Sequence, residues 1–449
     1  MDSELLTEDT SKLFYRYLFP SIGGALVTSV YSFVDTIAVG QACGPEGSAA
    51  IATINPVFAI AAFLGVMLGV GGSVEISRSR GAGDSREAKG YFTVSFLSAL
   101  LSAALFWLLS ALFLTPLLCL SGADDVILPY ARAYAVPIIT VFPLLLLNSY
   151  LSPVIRSDEN PSLPLKGVIV GGVFNMLGDW IFVFPLGMGM AGAGLATSLG
   201  IVLHSAVMLT HFRTKDKERT SLVLVKARQG WRKLKKTVSS GFAASLSDVS
   251  LIIITILMNQ QAMRYGGRND LAVFGVIITI SFLLQHVFLG IGQAAVPVTS
   301  SNYGAGNKGR VWESFRLLVL WAFLLGALST LVCLLFPEAI LRLFMDTTPE
   351  VMAIGPGLIR LYSLSFFLLS LNSNLVLFLQ AVQRPALALV ISLSRTLAVN
   401  GLLLLLLPPL LGSAGICWAM TAAEVVTVLF ALPCTLRLRC EGWHNGCRN

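Results

Sequence analysis

Long apolar runs, each about the length of a bilayer-spanning helix, alternate along this chain with short polar clusters. A hydrocarbon core about 30 Å thick needs roughly 20 apolar residues per helix. Runs of that length predict helices near 13–40, 51–76, 90–114, 128–152, 162–185 and 189–212. Six more follow near 239–263, 271–299, 312–336, 351–380, 384–410 and 413–436. The pattern predicts an all-α membrane protein of twelve transmembrane helices. Composition agrees: 55% of the 449 residues are hydrophobic and 12% are charged, with a mean hydropathy of +0.78. A soluble chain carries about a quarter of its residues as charges, so the soluble class is excluded.

The few charges sort by side. With a cytoplasmic N-terminus, the inside loops carry Arg78, Arg80, Arg86 and Lys89, then Arg156 and Lys166, then Lys308, Arg310 and Arg316. The outside loops carry Glu46, Asp124, Asp125, Glu338, Asp346 and Glu350, against the exceptions Arg264, Arg268 and Arg342. Cytoplasmic loops are enriched in Lys and Arg, so both termini are expected inside a multi-pass protein of the cell (plasma) membrane. The net charge of +7 gathers at membrane boundaries and does not point to nucleic acid. Asp2, Glu4, Glu8 and Asp9 stand where a cleavable signal peptide would need basic residues.

The densest basic stretch, 213–236, reads as a cytoplasmic linker. It divides the chain into a first six-helix lobe (1–212), a linker (213–238) and a second six-helix lobe with a short tail (239–449). The halves resemble each other. Gly81-Ala82-Gly83 recurs as Gly304-Ala305-Gly306, and Gly189-x-x-Gly192 as Gly412-x-x-Gly415, both 223 positions on. Pro161-Ser162-Leu163-Pro164-Leu165 recurs as Pro385-Ala386-Leu387-Ala388-Leu389 at 224. An even number of helices per half makes the repeats parallel, related by an axis along the membrane normal, as in secondary transporters.

An ionisable residue inside an apolar helix costs about 3 kcal/mol on insertion scales and is a functional candidate by default. At 1.5 Å per residue, Asp35 and Asp179 each lie about 9 Å below the outer ends of the first and fifth helices. Asn175 lies about 15 Å down and Thr197 about 12 Å into the sixth helix. These oxygen-bearing side chains converge on one layer, which suits a coupling H⁺ or, through the same four groups, Na⁺. Asp248 lies about 12 Å from the inner face and Glu424 about 16 Å from the outer one; with Tyr31 they are candidate second-lobe or substrate contacts. Glu75 sits beside Arg78 and Arg80 and reads as an interfacial ion-pair partner.

Glycines at 65, 69, 71 and 72 predict close helix packing, and Pro20, Pro56, Pro137, Pro143 and Pro297 predict bends within helices. The four histidines lack metal spacing, and no Ser–His–Asp order or phosphate-loop lysine is visible. Neither an enzyme nor a bound cofactor is therefore expected, and no metal beyond Na⁺ at the four-residue layer. Cys440, His444 and Cys447 form a short tail pattern of little weight.

The chain resembles the MATE (multidrug and toxic compound extrusion) family. The resemblance rests on Tyr31-Ser32-Phe33-Val34-Asp35-Thr36-Ile37-Ala38-Val39-Gly40, Gly81-Ala82-Gly83-Asp84, Asn175-Met176-Leu177-Gly178-Asp179 and Gly192-Ala193-Gly194-Leu195-Ala196-Thr197. It implies a V-shaped pair of lobes exporting organic cations and other amphiphiles, drugs or metabolites, against H⁺ or Na⁺; the substrate is expected to be small and cationic and the protein a monomer. It also implies a first-lobe cation site on Asp35, Asn175, Asp179 and Thr197. One branch of the family uses acids of helices 7 and 10, where this chain has Asp248 but only Asn372, Asn374 and Gln380. Two rival readings are a lipid-linked oligosaccharide flippase, which would need a basic cavity, and a non-transporting membrane sensor. The intramembrane charges read as mostly acidic, which disfavours the flippase.

Overall fold

The structure is a computed structural model and describes residues 4–213, 222–344 and 348–439. Within these ranges the side chains of Phe33, Pro45, Ser48, Ala52 and residues 247–252 lie outside the description. Every regular element among the described residues is a helix. The first half holds α1 (Thr10–Gly44), α2 (Ala49–Gly81), α3 (Ser85–Leu112), α4 (Ile127–Ser157), α5 (Ser162–Val183) and α6 (Gly189–Arg213). The predicted seventh helix is α7 (Gly230–Tyr265). After it come α8 (Gly267–Gly304), α9 (Lys308–Leu335), α10 (Pro349–Ala381), α11 (Pro385–Leu411) and α12 (Ser413–Arg437). Among the described residues, the eleven helices other than α7 are long and apolar enough to cross a bilayer. Helices dominate because hydrocarbon offers backbone groups no water, so each must bond within its own segment.

The two halves repeat in backbone as well as in sequence. Left-handed positions recur at Gly44 and Gly267, Gly83 and Gly306, Glu159 and Gln383, and Gly189 and Gly412. At Gly83 (φ +82°) and Gly306 (φ +76°) the chain reverses in a conformation that only glycine adopts at no steric cost. Two short helices that the apolar pattern did not predict, Leu114–Leu120 and Pro337–Phe344, begin 223 positions apart. Seven or eight residues cannot span a bilayer, so a search for long runs passes over them.

The outward surface carries the same signature. Leu97, Leu101, Leu105, Leu108 and Leu112 are exposed along α3, and Leu320, Leu324, Leu328, Leu331 and Leu335 along α9. Each member of the second stripe lies 223 positions after its mate. Such stripes would be a liability in water, and here they face lipid.

The predicted helix 384–410 departs from a plain α-helix in two places. It contains a π turn at Ser394–Ala398, and it breaks at Pro408, which has no N–H to continue the ladder.

By packing, the chain divides into two compact units: Met1–Glu8 with Phe19–Ser245, and Asp9–Leu18 with Leu246–Asn449. In the first unit, one apolar cluster gathers Val39, Ile54, Tyr134, Ile138 and Phe142. A second gathers Tyr91, Phe92, Leu146, Tyr150 and Leu151 further along α4. Beyond that second cluster Arg80 meets Asp158 at 3.3 Å and Glu159 at 3.1 Å, and Asp158 meets His211 at 2.9 Å. Glu75 pairs with Arg78 at 3.2 Å, as its position predicted, and accepts from Ser240 Oγ at 2.9 Å. In the second unit one apolar cluster runs through Ile254, Phe274, Ile359, Phe366 and Ile416. The segment Asp9–Leu18 packs within that unit, where Tyr15 meets Trp321 edge-on and Ser11 donates to Glu313.

The glycines of α2 act as predicted. A Cβ on Gly69 would lie 2.7 Å from the Tyr150 carbonyl oxygen, and one on Gly71 would overlap the Thr237 carbonyl. Gly24, by contrast, has nothing within 4 Å of its ideal Cβ. Overpacking of a close contact costs about 1–3 kcal/mol. Gly71→Val should therefore lower the melting temperature of the detergent-purified protein, and Gly24→Val should leave it nearly unchanged.

Candidate coupling-ion site

The layer predicted from depth is assembled in the first unit, and small residues let its helices meet. A Cβ on Gly178 of α5 would lie 2.8 Å from the Ala196 methyl of α6, and one on Gly171 would lie 2.7 Å from the Gly200 carbonyl oxygen. A Cβ on Gly194 of α6 would overlap the Tyr134 carbonyl of α4. The glycines flanking the polar residues in these motifs therefore seat α4, α5 and α6 close enough for short polar side chains to interact.

Asp35 is 9% exposed and Asn175 3%, while Asp179 is fully buried; Thr197 is half-buried. The Asn175 amide donates to Thr197 Oγ1 at 3.2 Å. The Tyr134 hydroxyl donates to Asp35 Oδ2 at 3.0 Å and is also within reach of the Thr197 hydroxyl. Asp179 lies close enough to Asp35 to feel its charge, and a proton on either carboxyl can bridge the two. Tyr31, one turn before Asp35, rests its ring against Gly172 of α5. Four of the predicted residues thus come together, and Tyr31 packs beside them.

The electrostatics of this layer are lopsided. Asp35 Oδ1, both carboxyl oxygens of Asp179 and Asn175 Oδ1 are buried without a hydrogen-bond donor. Among the described residues no Lys, Arg or His pairs with either acid. A buried acceptor left without a donor costs about 1–3 kcal/mol, and more when it is charged. An oxygen-only set around two acids is relieved by a cation: a proton on one carboxyl, or Na⁺ among the four oxygens. The residues present fit either ion.

The second unit differs. Asp248 belongs to α7, but its side chain lies outside the described residues. Glu424 of α12 is 4% exposed and accepts from Asn372 Nδ2 at 2.6 Å. Its other oxygen stands 3.8 Å from Arg395 Nε, and Arg395 donates through Nη1 to Ser373 Oγ at 2.6 Å. The expectation of mostly acidic intramembrane charge overlooked Arg395, a base only 3% exposed inside α11. Tyr134 was also missed, although its place in the fourth predicted helix puts it about 9 Å from the outer end, level with Asp35. Among the described residues no group of three or more His, Cys, Asp or Glu side chains is arranged for a metal ion. Cys440, His444 and Cys447 lie outside the described residues.

Known proteins share this architecture and this sequence pattern. The multidrug export protein MepA of Staphylococcus haemolyticus is 22% identical over 98% of this chain and 96% of its own. An FAD transporter of Shewanella oneidensis is 24% identical over 96% and 94%. A solved structure of a multidrug resistance MATE family transporter of the MOP superfamily, in its outward-facing conformation, covers 97% of both chains at 23% identity. Its TM-score of 0.89 shows a common fold of two repeated lobes. The sequence profile of the MatE family matches residues 20–181 and again 243–405, once in each half. The chain is a multi-pass membrane transporter, and it belongs to the MatE family.

Proposed function

We propose that this protein is a cation-coupled antiporter that exports small amphiphilic organic cations in exchange for H⁺ or Na⁺ held at Asp35, Asn175, Asp179 and Thr197. The observation that carries the reading is the set of buried oxygens around two acids with no base to balance them. Coulombic repulsion between the carboxyls is strong in a low-dielectric interior, so the layer favours any state in which a cation is shared between them. Tyr134 holds one carboxyl in place and leaves the other free to take the cation. Release of that cation restores the repulsion and with it the affinity of the acids for a positively charged cargo. Coupling then follows from competition between two cations for one pair of charges. The names of the MepA relatives support export of drug-like cargo, and the acids favour cationic cargo over the dinucleotide named for the Shewanella relative. The positive-inside pattern supports a plasma-membrane protein with both termini cytoplasmic, and the reading requires only a monomer.

Two outcomes are expected. In proteoliposomes loaded with the fluorescent cation ethidium, efflux should follow an imposed H⁺ or Na⁺ gradient. Asp35→Asn and Asp179→Asn should each reduce it at least about tenfold at matched protein levels, an effect of the size expected for losing one charge-based contact of about 1.4 kcal/mol or more. Efflux by both variants at the wild-type rate would sink the proposal. A thermal double-mutant cycle between Tyr134→Phe and Asp35→Asn should give a coupling of about 0.5–3 kcal/mol, because the hydroxyl donates directly to that carboxyl. Additive losses would remove Tyr134 from the site.

A further inference from the structure

Glu424 is the one acid of the second lobe whose side chain is described deep inside a membrane helix, and it comes with its own base. Arg395, Glu424, Asn372 and Ser373 are each at least 95% buried. Three helices build the cluster: Asn372 and Ser373 from α10, Arg395 from α11 and Glu424 from α12. Asn372 Nδ2 holds both the Glu424 side chain, at 2.6 Å, and its backbone carbonyl, at 3.0 Å. Arg395 lies in the π turn Ser394–Ala398. Such turns add a residue to the helix and recur at functional positions.

The internal repeat shows what this cluster replaces. Asn148 Nδ2 donates to the Ile201 carbonyl at 3.3 Å, as its mate Asn372 donates to the Glu424 carbonyl. Ile201 and Glu424 are 223 positions apart and the asparagines 224. Gly171, 224 positions before Arg395, touches the Gly200 carbonyl beside Ile201. One frame therefore carries a glycine and an isoleucine in the first lobe and an arginine and a glutamate in the second. The exchange runs the other way at the acid layer. Asp35 and Thr197 stand opposite Met258 and Met420, which line a small apolar hollow with Tyr362, Phe282 and Ile254. Asp179 stands opposite Leu403, or Leu404 once the added residue of the π turn is counted. Asn175 then meets Asn400, whose Oδ1 is likewise buried without a donor.

We propose that the Arg395 guanidinium is a tethered counter-ion, occupying permanently the role that an exchangeable cation plays in the first lobe. It thereby keeps Glu424 out of the coupling step. At the acid layer of the first lobe no base pairs with Asp35 or Asp179 among the described residues, so the layer must borrow a cation; the second lobe's cluster holds an acid and a base 3.8 Å apart and needs none. One exchangeable site per protein results, not two. The inference rests on the first-lobe coupling reading for the word exchangeable, but the charge balance at Glu424 stands apart from it.

The test uses the full-length purified protein and compares wild type, Arg395→Met, Glu424→Gln with Arg395→Met, and Asp35→Asn. A buried carboxylate deprived of its partner takes up a proton or Na⁺. The melting temperature of Arg395→Met should therefore fall more steeply than that of wild type between about pH 6 and pH 9, and NaCl should restore part of it. Adding Glu424→Gln should return the wild-type profile. Tyr362, which feels the Glu424 charge, and Cys417 beside it are common to all variants and cancel. Should Arg395→Met fail to fold while the neutral double variant folds, the need for a counter-ion is shown in its strongest form.

The double variant should also drive ethidium efflux within about twofold of wild type, since a buried ion pair can be exchanged for neutral groups of similar volume. A pH profile of Arg395→Met parallel to wild type would overturn the proposal. So would an extra pH dependence that survives Glu424→Gln, or a double variant that fails to fold. Loss of efflux from a folded double variant would do the same, because it would place the pair in the transport step. Retained efflux by Asp35→Asn would instead count against the first-lobe coupling site and leave the thermal comparison at Arg395 and Glu424 standing.

Discussion

A carboxylate inside a bilayer has no water to turn to, and the first lobe buries two of them side by side with no base paired to either among the described residues. Insertion of even one such group costs about 3 kcal/mol, and a second of like charge nearby adds repulsion that the low dielectric does little to screen. The surrounding structure can be read as the means of holding this arrangement. Gly171, Gly178 and Gly194 bring α4, α5 and α6 within backbone contact, and Tyr134 pins Asp35. Asn175 is tied to Thr197, leaving its carbonyl oxygen turned to the same layer. No single one of these features requires a transporter. Together they make a site that, on the reading proposed above, draws its stability from a cation the chain does not supply.

The second lobe shows the alternative solution on a duplicated frame. Where α3 and α9 face lipid, the copies have kept the same leucines at the same positions. At four turns between helices they have kept left-handed positions in register, three of them as glycine in both copies. They differ tellingly at buried polar positions: one lobe has acids where the other has methionine and leucine, and the other has an ion pair where the first has glycine and isoleucine. Lipid-facing and turn positions answer to physical demands that both copies share, whereas the buried charges answer to what each lobe does.

Much of this was legible from the chain alone. Bilayer thickness and helical rise convert apolar run lengths directly into spans, and rare charges in those runs mark their own depth, which is why Asp35, Asn175, Asp179 and Thr197 could be grouped without coordinates. Tyr134 escaped because a tyrosine in an apolar helix is commonplace, although the same depth rule would have placed it level with Asp35. Arg395 escaped because depth was weighed for acids alone; applied to bases, the cost of burying a charge would have found it midway along its helix. The π turn that carries it leaves no trace in a 3.6-residue pattern, and the two short helices are too brief for a reading based on spanning length.

The central claim is that Asp35 and Asp179 together hold a single exchangeable cation, and infrared difference spectroscopy of the purified protein tests it most directly. On raising the pH, or on adding NaCl at constant pH, one buried carboxylic C=O stretch should disappear per protein. That band should be missing or displaced in both Asp35→Asn and Asp179→Asn and unchanged in Glu424→Gln with Arg395→Met. A titrating band that persists unaltered in both aspartate variants, or none in wild type under either change, would contradict the claim.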